Sequence, residues 1–238
     1  MKLENIVEIK AKLVLKTGLH IGAGDSEMHI GGIDNAVIKN PITQVPYIPG
    51  SSLKGKMRSL LEWCSGEIKD GSPLSIKDFV SPATENKEMV KYILQLFGIS
   101  GDIDNFEVDE IGIGRLIFWD CSLSEEWEKQ IRENGLFLTE AKTENSINRI
   151  KAKAENPRQT ERVPAGAEFD FKLMLRQFKG DNQEALLGIV LKGLKLIEMD
   201  SLGGSGSRGY GKVCFDQLTV NGEDYKEVFK QIQPFGNR

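Results

Sequence analysis

Hydrophobic and polar positions alternate from Ile6 to Lys16: Val7, Ile9, Ala11, Leu13 and Leu15 fall on one side, Glu8, Lys10 and Lys12 on the other. A period of two predicts a half-buried strand. After the Pro46 and Pro49 turn the period becomes helical, with Leu53, Met57, Leu60, Leu61 and Cys64 three or four apart and Ser51 or Ser52 placed to cap the start. Lys87 to Phe97 predicts a second helix on Met89, Val90, Ile93, Leu94 and Phe97, stopped by Gly98. Ile111 to Cys121 is mixed apolar and strand-like. Ala167 to Arg176 alternates cleanly, Phe169, Phe171, Leu173 and Leu175 inward, Glu168, Asp170, Lys172 and Arg176 outward. Gln183 to Met199 predicts a long helix on Leu186, Leu187, Val190, Leu194 and Ile197; Gly211 to Val220 predicts a strand, and Tyr225 to Ile232 a short helix.

The coarse order is strand, helix, strand, strand, helix, strand. This α+β pattern predicts an antiparallel sheet with both helices on one face and the other face open to a ligand. No tandem repeat, low-complexity tract or linker cuts the chain, so residues 1–238 read as one domain. Residues 122–166 read as an insertion, because cations, Asn145, Asn148 and Pro157 interrupt any core pattern there. A solvated loop is the plain reading of that stretch.

The 238 residues, 39% hydrophobic and 28% charged, describe a soluble protein able to bury a sizeable core. No apolar run approaches the ~20 residues that span a bilayer, and the acidic, alternating start is unlike a signal peptide. The expectation is a cytoplasmic protein without a membrane partner. Cys64, Cys121 and Cys214 are too widely spaced for a zinc motif and read as ordinary buried cysteines. A net charge of −4 argues mildly against nucleic acid, but the distribution matters more. Lys39 to Arg58 holds four cations and no anion; Lys142 to Arg162 holds six cations against three anions. Asp102 to Glu110 holds five anions and no cation, a solvated loop or a docking surface for a basic partner.

Two stretches, Gly50 to Lys56 and Gly206 to Lys212, fit G-x-x-x-x-G-K, but Met57 and Val213 stand where a P-loop needs a hydroxyl. What survives is the chemistry of small residues and clustered N–H groups beside cations. A helix start carrying Ser51, Ser52, Lys54, Lys56 and Arg58 suits a phosphate chain. Five glycines from Gly203 to Gly211, around Arg208, are costly in entropy unless a ligand or tight packing needs them. Ligand contact is the expectation, with RNA or another phosphate-bearing chain as the candidate. Asp34, in a glycine-rich loop beside these cations, cannot bind phosphate itself. It suits a loosely held divalent cation or a proton transfer, with an Asx-turn as the bland alternative. His20 and His29, with Asp25 and Glu27 nearby, lack a tight metal spacing.

Taken together, these residues resemble the RAMP superfamily of CRISPR-associated proteins, most closely the repeated backbone subunits (subunit three) of the type III-A Csm complex. The resemblance rests on Leu19 to Gly22, His29 to Asp34, Tyr47 to Arg58, Lys142 to Arg149, Asn156 to Pro164 and Gly203 to Gly211, and so spans nearly the whole chain. It implies a modified ferredoxin-like (RRM) palm with a lid insertion at about 67–110. It also implies a β-hairpin thumb at about Thr139 to Pro164, within the 122–166 insertion. The implied function is binding of CRISPR RNA in a filament and cleavage of guide-paired single-stranded target RNA at regular intervals, by metal-dependent 2′-OH attack. Asp34 is the implied catalytic residue and transient ligand of Mg²⁺ or Mn²⁺. RNA contacts are implied at His20, Ser51, Ser52, Lys54, Lys56, Arg58, Arg149, Arg162 and Gly204, Ser205, Gly206, Ser207, Arg208 and Gly209. The implied partners are further copies of the chain and other Csm subunits, the large Cas10-type and small ones included. The alternatives are a non-catalytic guide-RNA scaffold and a guide-processing endoribonuclease, for which no His base paired with Lys or Tyr is evident.

Overall fold

A computed structural model describes residues 2–24, 35–99 and 111–235. In chain order the elements are β1 (Leu3–Leu15), β2 (Tyr47–Ile48), α1 (Gly50–Ser65), α2 (Ile76–Val80), α3 (Lys87–Phe97), β3 (Leu116–Phe118) and β4 (Cys121–Ser122). There follow α4 (Glu125–Glu133), β5 (Glu140–Asn148), β6 (Lys153–Arg162), β7 (Glu168–Phe178), α5 (Gln183–Met199), β8 (Val213–Val220), β9 (Glu223–Asp224) and α6 (Lys226–Lys230). The acidic run Asp102 to Glu110 lies outside the described residues, as do His29 and Asp34.

The alternating segment at the N-terminus is the central strand of a five-stranded antiparallel sheet in the order β3-β7-β1-β8-β9. Register explains why one face is dry: Ile9 pairs with Leu173, Ala11 with Phe171 and Leu13 with Phe169, so apolar side chains of both strands point the same way. All six are buried. The opposite face carries charge. There Lys10 faces Lys172, and Glu8 offsets the repulsion by pairing with both, at 2.6 and 3.0 Å.

The dry face is covered by helices. Leu53, Met57, Leu60 and Leu61 of α1 meet Val190, Leu194 and Ile197 of α5, and Val90, Ile93 and Leu94 of α3 complete the cluster. The limits of α3 and α5 match the hydrophobic periodicity at both ends. The start of α1 does not match. Neither Ser51 nor Ser52 caps it; Pro49 occupies the cap position, and the Gly50 amide donates to the Asp120 carboxylate at 2.7 Å. A carboxylate from β3–β4 thus satisfies the positive end of the helix from outside its own sequence.

The segment 122–166 is not a loop. It contains α4, which buries no residue, and the β5–β6 ribbon, paired from Glu140↔Arg162 to Asn148↔Lys153. Asn148 closes the ribbon's tip by accepting hydrogen bonds from the Ile150 and Lys151 amides at 3.0 Å each. Most of the ribbon is exposed on both faces, and Ile150 at the tip is 96% exposed. A lone two-stranded ribbon is marginal in water, so its foot must hold it. All three cysteines are free thiols. Only Cys121 is fully buried, where burial pushes its thiol up to about 12; Cys64 and Cys214 are half-buried.

Candidate nucleic-acid interface

The foot of the ribbon is where the chain's distant polar segments converge. Leu19 and Val163 exchange backbone hydrogen bonds of 2.9 and 2.8 Å, which lays Leu19 and His20 beside the end of β6. The Ile38 amide then donates to the Ile21 carbonyl (2.8 Å), and Gly22 bridges Val37. The chain entering and the chain leaving the segment that carries His29 and Asp34 are therefore neighbours. Asn35, the residue after Asp34, bridges Thr160 in parallel, and its carbonyl accepts from the Glu161 amide at 2.9 Å.

His20 ties this foot to the glycine run. Its Nδ1 lies 2.7 Å from the Glu161 carbonyl oxygen, so the proton belongs on Nδ1. Its own carbonyl accepts from the Gly204 amide at 2.9 Å. Gly203 (φ 73°) and Gly211 (φ 71°) sit in left-handed backbone, where a β-carbon would strike the His20 and Leu202 carbonyls respectively. These glycines answer to packing. Gly209 (φ 84°) opens onto empty space, and Ser207 and Arg208 are exposed beside it.

A second junction joins the glycine run to the ribbon through Tyr210, which is 1% exposed. Lys142 Nζ lies 4.4 Å and the Arg162 guanidinium 5.1 Å from the centre of its ring. Two cations on one ring would repel, and a carboxylate beside each relieves that, Glu144 pairing with Lys142 (3.4 Å) and Glu140 with Arg162 (2.7 Å); Glu144 also pairs with Arg208 (3.1 Å). Burial, followed by the Glu144 carboxylate, raises the Tyr210 hydroxyl above the usual tyrosine range. Arg149 is exposed at the ribbon's tip.

The cations of α1 divide. Lys54 is exposed. Lys56 reaches Asp200, at the end of α5 just before the glycine run, at 2.6 Å. Arg58 turns inward, with Nε 2.7 Å from Glu62 and a terminal nitrogen 2.8 Å from the Leu74 carbonyl, and its side chain is 15% exposed. Arg58, grouped with Lys54 and Lys56 as a phosphate-facing cation in the sequence, is instead held in an internal pair.

Sequence reasoning missed Glu161, Tyr210 and Asp120. Glu161 is 5% exposed, and its carboxylate accepts from the Val37 amide (2.9 Å), Lys39 (2.6 Å) and Thr139 (2.6 Å). Burial would raise its pKa, but the hydrogen bonds from Lys39, Thr139 and Val37 outweigh it and hold the carboxyl below the usual range. Tyr210 had a signal, an aromatic residue inside a basic glycine run; Glu161 had none beyond its charge. Among the described residues no group of three or more His, Cys, Asp or Glu is placed to hold a metal ion.

The RAMP superfamily model matches residues 12–214. The CRISPR system Cms endoribonuclease Csm3 of Streptococcus thermophilus is 44% identical over 215 residues, 89% of this chain and 88% of that one. The protein of the same name from Methanothermobacter thermautotrophicus is 37% identical over 228 residues, 92% and 87% of the two chains. Among solved structures, the Csm3–Csm4 subcomplex of the type III-A CRISPR-Cas interference complex aligns with a TM-score of 0.54 at 28% identity, covering 92% of this chain and 80% of that one.

Proposed function

Because the chain belongs to the RAMP superfamily, we propose that it is the CRISPR RNA-binding backbone subunit of a type III-A effector complex and its target-cleaving endoribonuclease. In this reading β1, α1, β3, β7, α5 and β8 form a modified ferredoxin-like palm, and the β5–β6 ribbon is the thumb. Residues 67–110 hold a lid insertion whose helix α3 is packed into the palm.

The observation that carries the reading is the ribbon itself. It is exposed along most of its length, has apolar Ile147 and Ile150 toward its tip, and stands on a foot that touches Asn35, His20 and the glycine run. An apolar wedge can unstack a base step. An unstacked nucleotide frees its ribose 2′-OH to line up with the adjacent phosphorus, an alignment that duplex geometry forbids, and leaves a 2′,3′-cyclic phosphate and a 5′-OH. Asp34 is the residue to take the 2′-OH proton or to hold Mg²⁺ or Mn²⁺, which would supply charge neutralisation at the phosphate. His20, Ser51, Ser52, Lys54 and the loop Gly204 to Gly209 grip the RNA backbone. Lys56, Arg149 and Arg162 add charge along that path. Base pairing supplies sequence specificity.

Guide RNA, target RNA, further copies of the chain and the large and small Csm subunits are the proposed partners, and the likeness to a solved Csm3–Csm4 subcomplex supports assembly of this kind. Among the described residues no helix is long and apolar enough to cross a membrane, and a cytoplasmic location is part of the proposal.

The test is deletion of residues 145–159, which removes the outer ribbon and leaves β1, β7 and the glycine run untouched. The complex should still assemble on guide RNA and should lose evenly spaced cleavage of a matched target. A normal product ladder would show that another element opens the duplex.

A further inference from the structure

Every polar group of Glu161 is committed, and each commitment goes to a different part of the site. Its amide donates to Asn35, its carbonyl faces His20 Nδ1, and its carboxylate accepts from Val37, Lys39 and Thr139. A carboxylate withdrawn from water at the foot of a ribbon is costly unless it is fully paired. The ribbon does not need it to stand, since Val163 secures the same foot with an apolar side chain and two backbone bonds. What the carboxylate adds is direction. It joins the chain entering the ribbon, at Thr139, to the chain leaving Asp34, at Val37 and Lys39.

We propose that Glu161 is the positioning residue for Asp34, fixing the chain that follows Asp34 against the foot of the ribbon. The chain from Asn35 to Lys39 and the foot of the ribbon are thereby held in one register. The inference rests on the reading of Asp34 as the cleaving residue and extends it to the residue that places it. Its consequence is a separation of rate from binding. In-line attack tolerates little misplacement, of which about 1 Å costs about 100-fold in rate. Target affinity comes from base pairing and many backbone contacts, whereas the polar groups of Glu161 are spent on partners within the chain.

The test uses complexes assembled with Glu161→Gln, Thr139→Val or Asp34→Ala. Glutamine keeps the size of the side chain but turns an NH₂ toward one of the three donors. Single-turnover cleavage by Glu161→Gln should fall about 10- to 100-fold, with the target Kd within about twofold of wild type and the spacing of products unchanged. Thr139→Val, which removes one donor and leaves the carboxylate, should lose rate in the same sense to a smaller extent. Hydrogen exchange should rise at residues 36–39 and stay protected in β1 and β7. Wild-type rates in Glu161→Gln beside an inactive Asp34→Ala overturn the inference alone. Wild-type cleavage by Asp34→Ala overturns the reading beneath it and the inference with it. Should Glu161→Gln fail to assemble, Thr139→Val decides: a slowed rate at unchanged affinity supports the inference, and a wild-type rate overturns it.

Discussion

Arg58→Met should destabilise the protein, although arginine at this place looks like a surface charge in the sequence. Arg58 Nε lies 2.7 Å from Glu62 Oε1, and the same oxygen accepts from the Leu74 amide at 3.1 Å. The two side chains are 15% and 6% exposed. Methionine would fill the space of the arginine stem but leave Glu62 as a buried, poorly compensated charge. Removing one partner of a buried pair costs about 3–5 kcal/mol; partial exposure of Arg58 and the surviving Leu74 bond lower this to about 2–3 kcal/mol. For a chain of this size that is about 4–12 °C in Tm. Arg58→Met combined with Glu62→Met should recover most of the loss, because a well-packed apolar pair removes the orphaned charge. Thermal melts of wild type, both single variants and the double variant measure the coupling. An Arg58→Met protein melting within about 1 °C of wild type while its RNA affinity falls would refute the internal pair and turn Arg58 toward RNA.

Lys54, exposed on the same helix, should behave in the opposite way. Lys54→Ala should change stability by no more than about 0.5 kcal/mol and make the salt dependence of guide-RNA binding shallower by roughly one counterion, read from filter-binding titrations. Gly211→Ala should destabilise by about 2–4 kcal/mol, because its left-handed backbone and the Leu202 carbonyl leave no room for a methyl group, and urea denaturation would report it.

The sheet and the helices that cover it were legible because burial there is one-sided. β1 and β7 alternate since one face packs on helices, and α3 and α5 carry apolar stripes that end where their caps stand. The ribbon was not legible from pattern. With both faces in water, β5 and β6 have no reason to alternate, and only the family resemblance placed a hairpin there. α4 escaped for the same reason, its partly buried Trp127 being too little of a stripe. Long-range partners hid the rest. The carboxylate that accepts from the first amide of α1 stands seventy positions from it, and a donor to the Glu161 carboxylate lies 124 positions from Glu161. The entropic cost of five glycines pointed to a ligand or to tight packing; for Gly203 and Gly211 packing answers, because the His20 and Leu202 carbonyls come so close.

Cleavage of end-labelled target RNA by complexes assembled with wild-type or Asp34→Ala protein, at equal guide occupancy and with Mg²⁺ present, is the measurement on which the assigned activity turns. Wild-type complex should yield a ladder of evenly spaced products. The Asp34→Ala complex should bind the same target with the same affinity and yield no ladder. An undiminished ladder from Asp34→Ala would contradict the assignment and leave the chain a guide-RNA scaffold whose cutting is done elsewhere.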